Sequence, residues 1–169
     1  MKNAITSCIH KGSLLWILVS FLLISCGSTQ PVTSAATPGE IKAAIESGRW
    51  VFTAERSDPP IGRSAKLSLG YEVRVGGDTA VFNLPYSGQM QAPARFPGGK
   101  GPLDFTSTRF TLNKTEKTQG KWLVMLSPQD ISDIVSCTFI FFENGKASLD
   151  VIFSNRTPID FFGTIEPLK

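Results

Sequence analysis

Between Ser64 and Gly76 the chain reads SAKLSLGYEVRVG, with Ala65, Leu67, Leu69, Tyr71, Val73 and Val75 on one parity and polar or small residues on the other. Successive side chains of a strand point to opposite faces, so this alternation predicts one long strand with one side in a core and the other in water. Gly70, on the polar side, marks a bulge or bend. The same period recurs along the chain. It places Trp50, Phe52 and Ala54 together within Arg49 to Ser57, and Ala80, Phe82 and Leu84 together after a turn at Gly76-Gly77-Asp78. Further strands are predicted over Leu103 to Leu112, Lys121 to Ser127 and Pro158 to Leu168, and Asp58-Pro59-Pro60-Ile61-Gly62 breaks the first strand from the second.

The clearest hairpin signal is Asn144-Gly145 inside Ile134 to Asn155, the preferred pair for a two-residue type I′ turn. That turn sets Glu143 opposite Lys146 and Phe142 opposite Ala147, with Ile140, Thr138 and Ser136 facing Leu149, Val151 and Phe153. Phe139, Phe141 and Ile152 then fall on the other side together with Cys137, an apolar patch to be covered by a helix or by a partner. A helix start stands at Thr37-Pro38-Gly39-Glu40, with an N-cap Thr, Pro at the first helical position and Glu three residues after the cap. Ile41, Ala44 and Ile45 line one face and Gly48 supplies the stop. The whole predicts an all-β fold: an antiparallel up-and-down meander of about eight strands, curled into a barrel or half-barrel, with one short N-terminal helix.

The N-terminus is of another kind. Lys2 and Lys11 precede the apolar run Leu14 to Ile24, which is too short to span a bilayer, and Ser25-Cys26-Gly27 follows. Residues 1–25 read as a secretion signal. Leu23-Ile24-Ser25-Cys26 resembles the lipobox of bacterial lipoproteins, which implies cleavage before Cys26 and lipidation of that residue. Residues 26–37 are then a lipidated tether reaching roughly 18 Å as a coil, and 38–169 a single domain. The expected location is the outer membrane, lipid-anchored and facing the periplasm, since Gly27 and Ser28 carry no acidic export tag.

Removing the signal changes the available chemistry. His10 is the single histidine and leaves with it, so the mature chain has no imidazole for a Ser-His-Asp or Cys-His triad. Cys8 leaves as well and Cys26 is acylated, so Cys137 has no disulfide partner and reads as an inert small hydrophobe. The formal charge falls from +3 to about +1 without Lys2 and Lys11. That balance argues against a nucleic-acid partner. No cofactor is expected. No metal is expected either, because Asp130 and Asp133 lack calcium-loop spacing and read as turn caps.

The segment Ser87 to Pro102 has no periodicity, and loops of that length are often functional. Met90, Arg95, Phe96 and Lys100, with Tyr86 before them, are the candidate ligand-binding residues at a barrel mouth. Three functions follow: a non-catalytic envelope lipoprotein binding a small ligand, a glycan or an envelope partner; an interaction module using the Phe139, Phe141 and Ile152 patch; or a hydrolase pairing carboxylates among Asp104, Asp150 and Asp160.

Glu46-Ser47-Gly48-Arg49-Trp50-Val51-Phe52, Gly70-Tyr71, Asn83-Leu84-Pro85-Tyr86-Ser87-Gly88 and Phe142-x-Asn144-Gly145-x-Ala147 together resemble the secreted bacterial lipoproteins grouped as domain of unknown function 4251. The resemblance spans nearly all of the mature chain. It implies a lipocalin-like β-barrel with no established activity, and it transfers no catalytic residue.

Overall fold

The computed structural model describes residues 36–89 and 101–169. The expected signal segment, Cys26, most of the expected tether, and Met90, Arg95, Phe96 and Lys100 lie outside the described residues.

Helix α1 (Pro38–Ser47) begins and ends as its capping residues require. The Thr37 N–H donates to the Glu40 carboxylate at 2.8 Å and the Glu40 N–H donates to the Thr37 hydroxyl oxygen, so two amides without intrahelical acceptors have partners. Gly48 closes it in the left-handed conformation, φ 68°, and Ile41, Ala44 and Ile45 are buried.

Among the described residues ten strands follow: β1 (Arg49–Asp58), β2 (Ala65–Lys66), β3 (Glu72–Gly76), β4 (Thr79–Asn83), β5 (Asp104–Ser107), β6 (Phe110–Thr118), β7 (Lys121–Pro128), β8 (Ile134–Phe142), β9 (Lys146–Phe153) and β10 (Ile159–Pro167). All pairings are antiparallel, in the order β5-β4-β3-β1-β10-β9-β8-β7-β6, with β2 paired to β1 beside that path. β5 and β6 stand at opposite edges of this sheet, yet only Thr108 and Arg109 separate them. Three residue steps reach about 10 Å, so the sheet must curl until the end of β5 lies beside the start of β6. Following the antiparallel pairs around the sheet, β5 and β6 run in the same direction, which makes them two halves of one kinked strand. The result is a curled half-barrel in which the chain meanders from neighbour to neighbour and the first strand pairs with the last.

The expected single strand Leu103 to Leu112 is thus divided, and Asp130 is the physical reason. Its carboxylate accepts hydrogen bonds from the Ser107 hydroxyl and from the Thr108 and Arg109 N–H groups, the amides at the kink. Those three bonds, led by the Ser107 hydroxyl, hold its pKa below the ordinary aspartate range.

The stretch Ser64 to Gly76 is also not one continuous strand. Lys66 pairs with Arg56 and Glu72 with Thr53, so six steps on one side answer three on the other. The surplus loops out: Leu69 is 98% exposed and Gly70 takes φ 103°. Leu67 and Tyr71 still pack against the core, pinned because the Leu67 N–H donates to the Glu55 carbonyl and the Ala54 N–H to the Tyr71 carbonyl. Only Val73 and Val75 are fully inward.

The β8–β9 hairpin corrects the predicted turn. Its loop is three residues, Glu143-Asn144-Gly145, with the Gly145 N–H donating to the Phe142 carbonyl at 2.9 Å. A type I′ turn needs positive φ at both central residues, and Gly145 has it (81°) while Asn144 does not. The register therefore pairs Phe141 with Ala147, Phe139 with Leu149 and Cys137 with Val151. A one-residue slip exchanges the two faces of a strand. Phe139 and Phe141 accordingly lie in the core, and the expected outer patch built on them does not form.

Trp50, Phe52, Phe82, Phe139, Phe141 and Phe161 are fully buried inside the curl. The Trp50 ring meets Phe139 and Phe141 edge-on at 4.8 and 4.9 Å. α1 closes the end where β1 begins, its buried residues joining the same core. Lys114 donates to the Glu46 carbonyl at 2.6 Å there, and the Ile165 N–H donates to the Gly145 carbonyl at 2.9 Å.

Candidate functional site

Tyr86 stands at the end of the sheet opposite α1. Its hydroxyl donates to the Thr157 carbonyl at 2.9 Å and its ring packs edge-on against Phe153. The Thr157 N–H donates to the Gln89 carbonyl, and the Gln89 N–H to the Thr157 hydroxyl oxygen. The segment after β4 is therefore stitched to the β9–β10 connection. Arg156, buried in that connection, lies over the Tyr86 ring at 5.7 Å and 3.9 Å from Asp133. Tyr86 thus holds two chain segments together, and its hydroxyl is committed to that task.

The corrected register of β8 and β9 assembles a second surface, on the outer face of β7–β10. Three rows of side chains cross these strands. The row nearest α1 carries Lys121, Phe142, Lys146 and Thr164. The middle row is Leu123, Ile140, Ser148 and Phe162, continued on β1 by Arg56. The third is Met125, Thr138, Asp150 and Asp160, continued on β1 by Asp58. One side of the face is basic, the centre is apolar and the far side is acidic.

Two shallow depressions mark this surface. One, about 440 Å³, lies among Ile140, Phe142, Lys146, Ser148 and Phe162, with Glu55 at its rim. The other, about 320 Å³, is lined by Pro60, Asp150, Ile152, Pro158, Ile159 and Asp160. Phe142 and Phe162 are each 37% exposed, and each ring carries a cation, Lys121 at 5.6 Å and Arg56 at 4.3 Å.

Asp150 and Asp160 are direct cross-strand partners. Desolvation raises both carboxyl groups above the ordinary aspartate range, and for Asp160 the charges of Asp150 and Asp58 add to it. Neither joins an ion pair among the described residues, whereas Asp58 is paired with Arg56 at 3.0 Å. Of the three aspartates considered for carboxylate chemistry, Asp104 lies apart, on β5 opposite Asn83. Asp150 and Asp160 come together, but side by side on one sheet face rather than across a cleft, where a glycosidic bond would have to lie between them. Among the described residues no group of three or more His, Cys, Asp or Glu forms a metal-binding set.

Phe142 escaped the sequence reading because the two-residue turn placed β8 on the wrong face, and Lys121, Lys146 and Phe162 because only the pairing of their strands brings them onto one surface. The usable signal was present: an Asn-Gly pair also suits a three-residue loop with Gly in the left-handed position.

The geometry defines a class first, a curled antiparallel half-barrel closed at one end by a short helix. Residues 33–165 match the family model described as domain of unknown function (DUF4251), and the chain belongs to that family. Its fold is similar to the crystal structure of a DUF4251 family protein from Bacteroides eggerthii DSM 20697, at 16% sequence identity and a TM-score of 0.56, covering 79% of this chain and 89% of that one. A comparison with curated proteins gives no match.

Proposed function

We propose that this chain is a non-catalytic envelope lipoprotein, anchored through lipid on Cys26 at the outer membrane on the periplasmic side, that works as a binding module. The outer face of β7–β10 is its binding surface. One observation carries this reading: of the eight large apolar side chains left exposed among the described residues, five (Met125, Val135, Phe142, Ile152 and Phe162) lie on these four strands. Apolar side chains concentrated on one face mark an interaction surface, whereas scattered ones need no explanation. The aromatic filling of the interior favours an external surface over an enclosed ligand, and the side-by-side aspartates favour binding over hydrolysis.

The test is site-specific photo-crosslinking in the native membrane. A photoreactive phenylalanine analogue at Phe142 is expected to give a discrete crosslinked product, and the same analogue at Val81, on the far side of the sheet, is not. Equal absence of product at both positions would sink the assignment of the surface. Incorporation of labelled palmitate into the unaltered protein, and not into the Cys26→Ser variant, checks the anchor separately.

A further inference from the structure

We propose that the partner of this face is a second copy of the same chain, docked about a two-fold axis. The inference rests on the reading of β7–β10 as a binding surface and goes further by naming the occupant. An isologous contact demands that one patch be complementary to itself. The three rows meet that demand.

A two-fold axis lying in the contact plane, running across the strands above the middle row, sets β8 on β8 and β9 on β9 with their directions reversed. The middle rows then meet as an apolar centre through Ile140 and Phe162. The Lys121–Phe142–Lys146 row of each copy comes to lie over the Thr138–Asp150–Asp160 row of the other. On β9, position 146 of one copy stacks over position 150 of the second, the same distance from the axis at Ser148. Lys146 is exposed and Asp150 lacks an ion pair among the described residues, so each supplies what the other needs. The curl of the sheet makes this face convex across the strands, which confines the contact to a strip around β9. Glu55 lies at the β1 rim of that strip, beyond the Lys146 and Asp150 positions. The carboxylate repulsion in the single chain is eased by the same arrangement, because Lys146 of the second copy arrives over Asp150, beside Asp160.

The decisive experiment is a charge swap read by sedimentation equilibrium and native mass spectrometry, on the chain purified from its membrane in non-ionic detergent. The unaltered chain is expected as a dimer. Lys146→Asp and Asp150→Lys alone should each weaken it at least about tenfold, since both set like charges together, and the double variant Lys146→Asp/Asp150→Lys should restore it. Both positions are outside the core, and far-UV circular dichroism confirms that the variants keep the fold. A monomer at every concentration overturns the proposal, as does a dimer indifferent to all three variants or a double variant no tighter than the singles. If the Phe142 photo-crosslink captures a different protein while the chain sediments as a monomer, the surface stands and the self-association falls.

Discussion

At the scale of single residues, the aspartates act on stability in opposite senses. Asp130 is held below its ordinary pKa by the hydroxyl and amides at the β5–β6 kink, so its contribution is present above the ordinary aspartate value and is lost as pH falls through the lowered one. Asp150 and Asp160 are raised. Between the ordinary value, about 4, and the raised one, the folded chain binds more protons than the unfolded chain. Stability therefore falls as pH rises through that window and stays lower above it. Neutralising one carboxylate removes the repulsion: Asp160→Asn should stabilise the monomer at neutral pH by a few tenths of a kcal/mol, the size of an exposed, solvent-screened cross-strand charge pair. The gain should vanish by about pH 3, where the native carboxyl is protonated as well. Thermal unfolding in dilute solution, compared at the two pH values, measures it. A variant no more stable than the native chain at neutral pH would show that Asp150 and Asp58 do not repel Asp160. That nature retains a destabilising row accords with a surface kept for binding.

At the scale of elements, what was readable depended on whether a signal was local. The α1 caps at Thr37, Glu40 and Gly48 lie within one turn of the residues they serve and read directly. The inward rows of β1, β4 and β10 follow from period two alone: Trp50, Phe52, Ala80, Phe82, Ile159 and Phe161 are all buried. The kink between β5 and β6 did not read, because its cause, Asp130, is more than twenty residues away. Neither did the three-residue excess before β3, which exists only relative to β1. The bulge in β1 between Ala54 and Arg56 has a counterpart of this non-local kind in Gly163. An added Cβ at Gly163 would collide with the Thr53 carbonyl oxygen of the neighbouring strand. Gly163→Ala should cost about 2 to 3 kcal/mol, because backbone rather than a movable side chain must give way. Gly145→Ala meets no such obstacle and carries only the left-handed penalty, about 1 kcal/mol. Urea titrations of the two variants should rank in that order, and the reverse ranking would mean that the β1 bulge can relax.

At the scale of the whole molecule, the register that sends Phe139 inward also sends Cys137 inward, and this gives a native reporter of global opening. Cys137 is fully buried on β8 opposite Val151, in the interior of a sheet whose neighbours on both sides are long strands. Desolvation, with Asp150 adding to it, pushes its thiol far above the usual cysteine range, so the reactive thiolate is suppressed as well as hidden. Cys137 forms the last pair of the β7–β8 ladder, with Leu126, but on its other side it pairs with Val151 inside the β8–β9 ladder. Because the thiol points into the core and is fully buried, modification requires β8 to leave β9 as well as β7, which is the opening of the sheet itself. In a chain beginning at Gly27, a thiol reagent should find no reactive group under native conditions and one in denaturant. When reclosing outpaces the reagent, the labelling rate should give the same stability as equilibrium denaturation. Labelling much faster than that stability allows would reveal a partial opening of β7–β9 that leaves the rest of the half-barrel closed. Because those strands carry the proposed two-fold contact, such an opening should slow when the chain is concentrated enough to pair, and a rate independent of concentration would place the opening outside the contact.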